Sequence, residues 1–306
     1  MQRILITGGA GFIGSAVIQE LLRVGYYVSV VDDFSFGNVA FLPATGISLH
    51  RLDILDREGL AQVFEQERPD FVVHLAAIHF IPYCNAHPFK SANINIQGTK
   101  NVLELAAQHQ VKKVFFASTA AVYPIIDEPI TETHPTGPLD IYGLSKLTGE
   151  YLCQAFYQEH GIPTVICRFF NAFGPNETNP HLIPAIEDQL REGKRRIALG
   201  NLEPMRDFIH TADMARAVRM LLEADLPGCD VFNLGRGIEY SVSEVVAAFE
   251  SALGESIEIE QDPERMRPSD RMHLLADNAK LRQAVGWEPE KSLEEGVATL
   301  VANWTA

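Results

Sequence analysis

Residues 7–14 read TGGAGFIG, and they stand between the apolar run RILIT (3–7) and a helical pattern, GSAVIQELLRVG (14–25). Gly9, Gly11 and Gly14 satisfy G-x-G-x-x-G, and Gly8 adds a further glycine at the turn. Residues without a Cβ suit this place because the backbone must turn tightly and let a pyrophosphate approach a helix N-terminus, where free N–H groups and the helix dipole favour negative charge. Glycines serve any tight strand-to-helix turn. The position directly after a strand and before a helix favours a dinucleotide loop.

Outward from this loop, short β-rich runs alternate with amphipathic patterns: YVSVVD (27–32), LDREGLAQVFEQERP (55–69), DFVVHLAA (70–77), NIQGTKNVLELAAQHQ (95–110), KKVFFAS (112–118), a helix carrying YGLSK (142–146), and PTVICRFF (163–170). The strands are continuously apolar, which predicts a parallel sheet buried between two helical layers, an α/β doubly wound fold. After residue 175 the pattern loosens into PNETNPH, a helix over IPAIEDQLREGK, and isolated strands and helices. Residues 1–175 are expected to form the dinucleotide-binding unit and 176–306 a smaller α/β region, with a return to the large sheet near 205–237, where VFNLGRG reads as a buried strand.

Asp32 ends the second strand, eighteen residues beyond Gly14. A carboxylate there accepts hydrogen bonds from the adenosine ribose hydroxyls and repels a 2′-phosphate. The following residues, Phe34 to Asn38, include no arginine or lysine, so NAD is favoured over NADP. Asp33 reads equally well as a turn residue. Asp53, after the next strand, lies where an adenine amino group is met, or is only a helix cap.

Tyr142 and Lys146 are four apart on one helix face. A phenol ionises near pKa ~10, and a neighbouring ammonium lowers that value, so the pair suggests a general acid/base. By itself such a pair is more often incidental. Here it follows a dinucleotide loop by several βα units, and STAAVY (118–123) supplies hydroxyls at the end of an intervening strand. In open parallel sheets those carboxyl ends line the ligand crevice.

In order, TGGAGFIG, Asp32, HLAA, NINIQGT, STAAVY, YGLSK, RFFNAFGP, RDFIH and the late RPSD…ADNAKLRQAVGWEP resemble the landmarks of the extended short-chain dehydrogenase/reductases that act on nucleotide sugars. The resemblance covers essentially the whole chain and is strongest to the UDP-hexose 4-epimerase branch. It implies a Rossmann-type sheet with a C-terminal substrate-binding region, NAD as cofactor, a UDP-sugar as substrate and a homodimer. Carried over to this chain, it implies catalysis by Thr119, Tyr142 and Lys146. The implied cofactor contacts are Gly8, Gly11, Phe12, Ile13, Gly14, Asp32, Asp33, Asn38, Asp53, Ile54, Leu75, Ala76, Ala77, Asn95, Ser118, Tyr142 and Lys146. Substrate contacts are implied at Thr119, Tyr142, Asn171, Arg206 and Arg267, the two arginines offering planar forks to phosphate oxygens.

Dehydratases of this superfamily place an Asp-Glu pair directly after the catalytic threonine, and the related decarboxylases a glutamate. Here those positions are Ala120 and Ala121. The remaining set fits reversible oxidation at one carbon, hence C4 epimerisation of a neutral hexose. UDP-glucuronate, a one-way reductase, another nucleotide-sugar enzyme of the superfamily, or a non-catalytic NAD-binding regulator are the alternatives.

Composition narrows the partners. A formal net charge of −15 leaves no broad basic field, so nucleic acid is a poor fit. Cys84, Cys153, Cys167 and Cys229 match neither zinc nor dithiol spacing, and the ten histidines show no metal motif, so no metal is expected and a cytoplasmic location is. The start MQRILITGG lacks the design of a signal peptide, and no stretch is long and apolar enough to cross a bilayer.

Overall fold

The computed structural model describes residues 1–266 and 271–304. The first part of the chain runs β1 (Arg3–Thr7), α1 (Phe12–Arg23), β2 (Tyr27–Asp32), β3 (Ile47–Arg51), α2 (Arg57–Glu67), β4 (Phe71–His74), α3 (Ile81–Ala86), α4 (Pro88–Ala92), α5 (Thr99–Gln108), β5 (Lys113–Thr119), α6 (Ile141–His160) and β6 (Thr164–Phe169). The rest runs β7 (Asn171–Phe173), α7 (Leu182–Arg191), β8 (Arg196–Leu199), β9 (Arg206–His210), α8 (Thr211–Glu223), β10 (Cys229–Leu234), β11 (Glu239–Tyr240), α9 (Val242–Leu253), β12 (Glu258–Gln261), α10 (Ala279–Val285) and α11 (Leu293–Ala302).

Seven strands form one parallel sheet in the order β3-β2-β1-β4-β5-β6-β10. Alternate residues of each strand face opposite sides, so one strand feeds two cores. Ile4, Ile6, Val28 and Val30 meet α1 and α8 through Val17, Leu21, Met214 and Leu221. Leu5, Val31, Val72 and Val114 meet α2, α5 and α6 through Leu60, Phe64, Val102 and Phe156. Both faces are covered, which is why the strands read as unbroken apolar runs.

The chain goes outward from β1 through β2 to β3, then crosses back to β4 on the other side of β1. At that reversal the loops after β1 and β4 diverge and open a crevice at the carboxyl edge. The smaller region supplies a three-stranded sheet, β11-β9-β7, and a two-stranded one, β12-β8, around a separate core that includes Ile186, Phe208, Phe249 and Val297. It covers that edge.

Candidate active site

The glycine loop is tight for steric reasons that the structure makes explicit. Gly8 adopts φ +74°, and a Cβ there would stand 2.6 Å from the Ala76 nitrogen. At Gly14 a Cβ would stand 2.7 Å from the Gly9 Cα. The loop delivers the N-terminus of α1 to the crevice with Gly11 at its cap and no side chain bonding the first-turn N–H groups. Gly8, Gly11, Phe12, Ile13 and Gly14 line one end of a cleft of about 1220 Å³.

The cleft gathers most of the other residues singled out from the sequence: Asp32, Asp33, Asp53, Ile54, Leu75, Ala76, Ala77, Ser118, Thr119, Tyr142, Lys146, Asn171 and Arg206. Asp32, 8% exposed, accepts the Ala10 N–H on Oδ2 and the Phe34 N–H on Oδ1, both at 2.9 Å. Burial nevertheless raises its pKa, leaving a carboxylate that gains from further donors. Asp33 accepts from the Ser35 N–H and hydroxyl, as a turn residue does. Asp53 accepts the Leu55 N–H in a similar turn.

Two predicted cofactor contacts are not among the lining residues. Asn38 caps the short turn at Val39–Phe41, accepting the Ala40 N–H. Asn95 sits in a π-helical turn, Asn93–Gly98, and is 1% exposed. Its side chain accepts from the Ile78 N–H and donates to the Ile78 carbonyl and the Ser145 hydroxyl at 2.8–2.9 Å. Asn95 thus ties the loop after β4 to α6, one residue from Lys146. Arg267 lies outside the described residues.

At the catalytic end, Thr119 closes β5 and accepts the Ala121 N–H, and its hydroxyl favours the ionised form of the Tyr142 phenol. Asp140 caps α6 through the Gly143 N–H and so starts the helix two residues before Tyr142. Lys146 is 3% exposed, and its ammonium has no hydrogen-bond acceptor among the described residues; it lies 4.2 Å from the centroid of the Phe116 ring. Burial pulls its pKa down to about 8. The expectation that Lys146 holds the Tyr142 phenol down is not met in the bare chain. Burial pushes the phenol above its ordinary value, Thr119 pulls it down, and the Cys84 and Asp140 charges push it up again. The reason is geometric: helical spacing aligns the two residues, but the long lysine stem carries its charge onto Phe116.

These features fit a dinucleotide. The glycine cradle and uncapped helix end suit a pyrophosphate, Asp32 suits ribose hydroxyls, and Lys146 is a buried donor awaiting an acceptor. The Oδ1 of Asn171 is also buried and unpartnered. Arg206 donates to the carbonyls of Met205 and Arg271 while lining the cleft.

Sequence reasoning missed several groups. Arg271 lines the cleft and donates to the carbonyls of Tyr123 and Pro124, so Pro124, whose ring removes a donor, keeps a use for its acceptor. Ser118 turns its hydroxyl to Glu150, which Arg168 grips with two bonds; Arg168 also reaches the Tyr123 hydroxyl. Glu177 and His181 pair on the far wall. Spacing carries no signal for these contacts, since the partners are 18 to 148 residues apart, except for the i,i+4 pair of Glu177 and His181.

The whole chain has close relatives of known structure. It is 33% identical over 325 residues to the UDP-glucose 4-epimerase of Bacillus subtilis, covering 95% of this chain and 94% of the relative. The UDP-glucose 4-epimerase of Thermotoga maritima, solved with UDP-glucose, superposes with a TM-score of 0.92 at 31% identity, covering 99% of each chain. That of Bifidobacterium longum, solved with NAD+ and UDP, gives 0.90 at 29%, covering 99% and 98%. Residues 5–300 match the family described as GDP-mannose 4,6 dehydratase, and the chain belongs to it, as one of the extended short-chain dehydrogenase/reductases.

Proposed function

We propose that the protein is an NAD-dependent 4-epimerase of a UDP-hexose of the glucose/galactose type, residues 1–175 holding the dinucleotide and 176–306 the sugar nucleotide. The observation that carries this reading is the convergence on one cleft of Thr119 at the end of β5, Tyr142 and a buried, acceptorless Lys146, with Thr119 followed by two alanines. Gly8 to Gly14 and Asp32 would hold the cofactor, with Lys146 on its nicotinamide ribose. NAD held there would supply the acceptor, and then the donor, of the C4 hydride. Thr119 orients the C4 oxygen, and Tyr142 takes the hydroxyl proton as the C4–H bond is lost and gives it back when the 4-keto sugar is reduced on its other face. Lys146, with its ammonium fixed on a ribose oxygen near the phenol, favours the phenolate that this step requires. Ala120 and Ala121 offer no acid or base for eliminating water, although the family carries a dehydratase's name. Asn171, Arg206 and Arg267 are proposed to meet the diphosphate.

Proton NMR of UDP-glucose with catalytic enzyme and no added nicotinamide tests this. A galactose-type anomeric signal settling at a fixed ratio, with unchanged mass, is expected; turnover that consumes added NAD stoichiometrically would make the protein a dehydrogenase instead. A homodimer is proposed through α6 and α4, whose Leu144, Tyr151 and Phe89 are 49%, 59% and 89% exposed. A reducing, cytoplasmic location is supported by four cysteines that are free thiols. No helix among the described residues is long and apolar enough to cross a membrane.

A further inference from the structure

His79 lines the cleft without a role in holding the cofactor or in the catalytic set. Its position is built rather than accidental. Asn95 grips both backbone groups of Ile78 and holds the Ser145 hydroxyl, so the next residue is fixed with respect to Tyr142 and Lys146. The ring opens to the cleft, and its Nε2 lies 2.7 Å from the Nδ2 of Asn179, which reaches over from the loop after β7.

The protonation state follows from the surroundings. The Nδ2 of Asn179 carries only hydrogens, so the imidazole nitrogen that faces it presents a lone pair. A neutral imidazole has one N–H, which then sits on Nδ1. The nitrogen facing Asn179 therefore only accepts. Nearby on the lining, the Asn171 Oδ1 is a second acceptor without a partner, and the Glu177 carboxyl, 5% exposed, is a third group of acceptors, bonded to His181 at 2.6 Å. This wall calls for a ligand with donors, as a sugar hydroxyl is.

We propose that His79 is a specificity-determining residue whose Nε2 accepts a hydrogen bond from the C3 or C6 hydroxyl of the sugar, in place of the bond it accepts from Asn179. The assignment rests on the epimerase reading. Thr119 closes β5 and His79 lies in the loop after its neighbour β4, and both line the same cleft. The hydroxyls near C4 are the one on C3, the adjacent carbon, and the one on C6, two bonds further along the carbon chain. A carboxylate at that position has no hydrogen to give and is rejected.

The test is a binding cycle on the holoenzyme. Calorimetric Kd values are measured for UDP, UDP-glucose, UDP-3-deoxyglucose and UDP-6-deoxyglucose with wild type, His79→Ala and His79→Gln, whose amide carbonyl restores an acceptor. UDP should bind all three proteins equally. His79→Ala should weaken UDP-glucose roughly tenfold, and wild type should lose about as much against one of the deoxy sugars. The variant should not distinguish that analogue from UDP-glucose, and His79→Gln should recover part of the loss. Undiminished UDP-glucose affinity in His79→Ala, or a loss equal for all four ligands, overturns the assignment. Failure of wild type to interconvert UDP-glucose and UDP-galactose would remove the epimerase reading beneath it, and is scored separately by NMR.

Discussion

Arg168→Met removes one half of the ion pair that lies under the catalytic strand end. Arg168 on β6 donates Nε and Nη2 to the two carboxylate oxygens of Glu150 at 2.9 and 2.7 Å, and the side chains are 6% and 2% exposed. An exposed pair of this kind contributes at most about 1 kcal/mol. Here water cannot take over either charge, so removing one partner strands the other, at a cost of about 3–5 kcal/mol. The Tyr123 hydroxyl loses its charged donor as well, within the same range. Against a total stability of about 5–15 kcal/mol, this is a large fraction, and it corresponds to a fall in Tm of roughly 5–8 °C. Glu150→Met alone should cost a similar amount, because it leaves a buried guanidinium and an unpaired Ser118 hydroxyl. Glu150→Met/Arg168→Met should regain at least half of either loss, since two apolar side chains replace two charges. Urea unfolding followed by circular dichroism gives the three values. A single variant within 1 kcal/mol of wild type, or a double variant as unstable as the sum of the singles, would refute the reasoning.

Tyr142→Phe should lower turnover at least a thousandfold while NAD content, read by absorbance after denaturation, stays at the wild-type level. Gly14→Ala should weaken NAD at least tenfold in a titration and lower Tm, because its Cβ meets backbone atoms of Gly8 and Gly9 that have no room to move. For Lys146 the folded pKa of about 8 lies below the ordinary value of 10.5. The unfolded chain then holds the proton more tightly between those pH values, so wild type gains stability as pH rises through them. Lys146→Met should accordingly be more stable than wild type by about 3 kcal/mol at pH 7, the gap closing toward pH 10.5 in urea titrations. A constant gap would show that Lys146 is not buried with its charge.

The parts legible in the sequence are those fixed by short-range rules. The glycine loop, the apolar strands and the Asp140-capped helix carrying Tyr142 and Lys146 are each decided within a few residues, and strand alternation with helices dictates the parallel sheet. What the sequence did not carry depends on which distant side chains meet. Asn95 looked like a cofactor contact because it sits in a family landmark, yet a π-helical turn aims it at Ile78. The basic run Lys194 to Arg196 does not reveal its partners, yet Arg196 begins β8 and faces Glu258 and Glu260 across to β12. Nor does the sequence say where Phe173 packs. It is 1% exposed, against Phe208 and His210 in the second core, where a hydroxyl would need a partner.

The same distinction separates reaction type from substrate choice. Reaction type is set by subtraction on one strand end: with Ala120 and Ala121 where elimination needs an acid and a base, the proposed roles of Thr119 and Tyr142 reduce to moving a single proton, and chemistry that returns to its starting oxidation state remains. Those positions are consecutive, so a sequence exposes them. Substrate choice is set by addition, from loops after β4 and β7 that meet across the cleft at His79 and Asn179, one hundred residues apart. A change in either loop alters which hydroxyl is read without disturbing the proton path. Relatives can therefore share the Thr-Tyr-Lys set and differ in their sugars, and the residues that decide between sugars become visible only when the two walls are folded together.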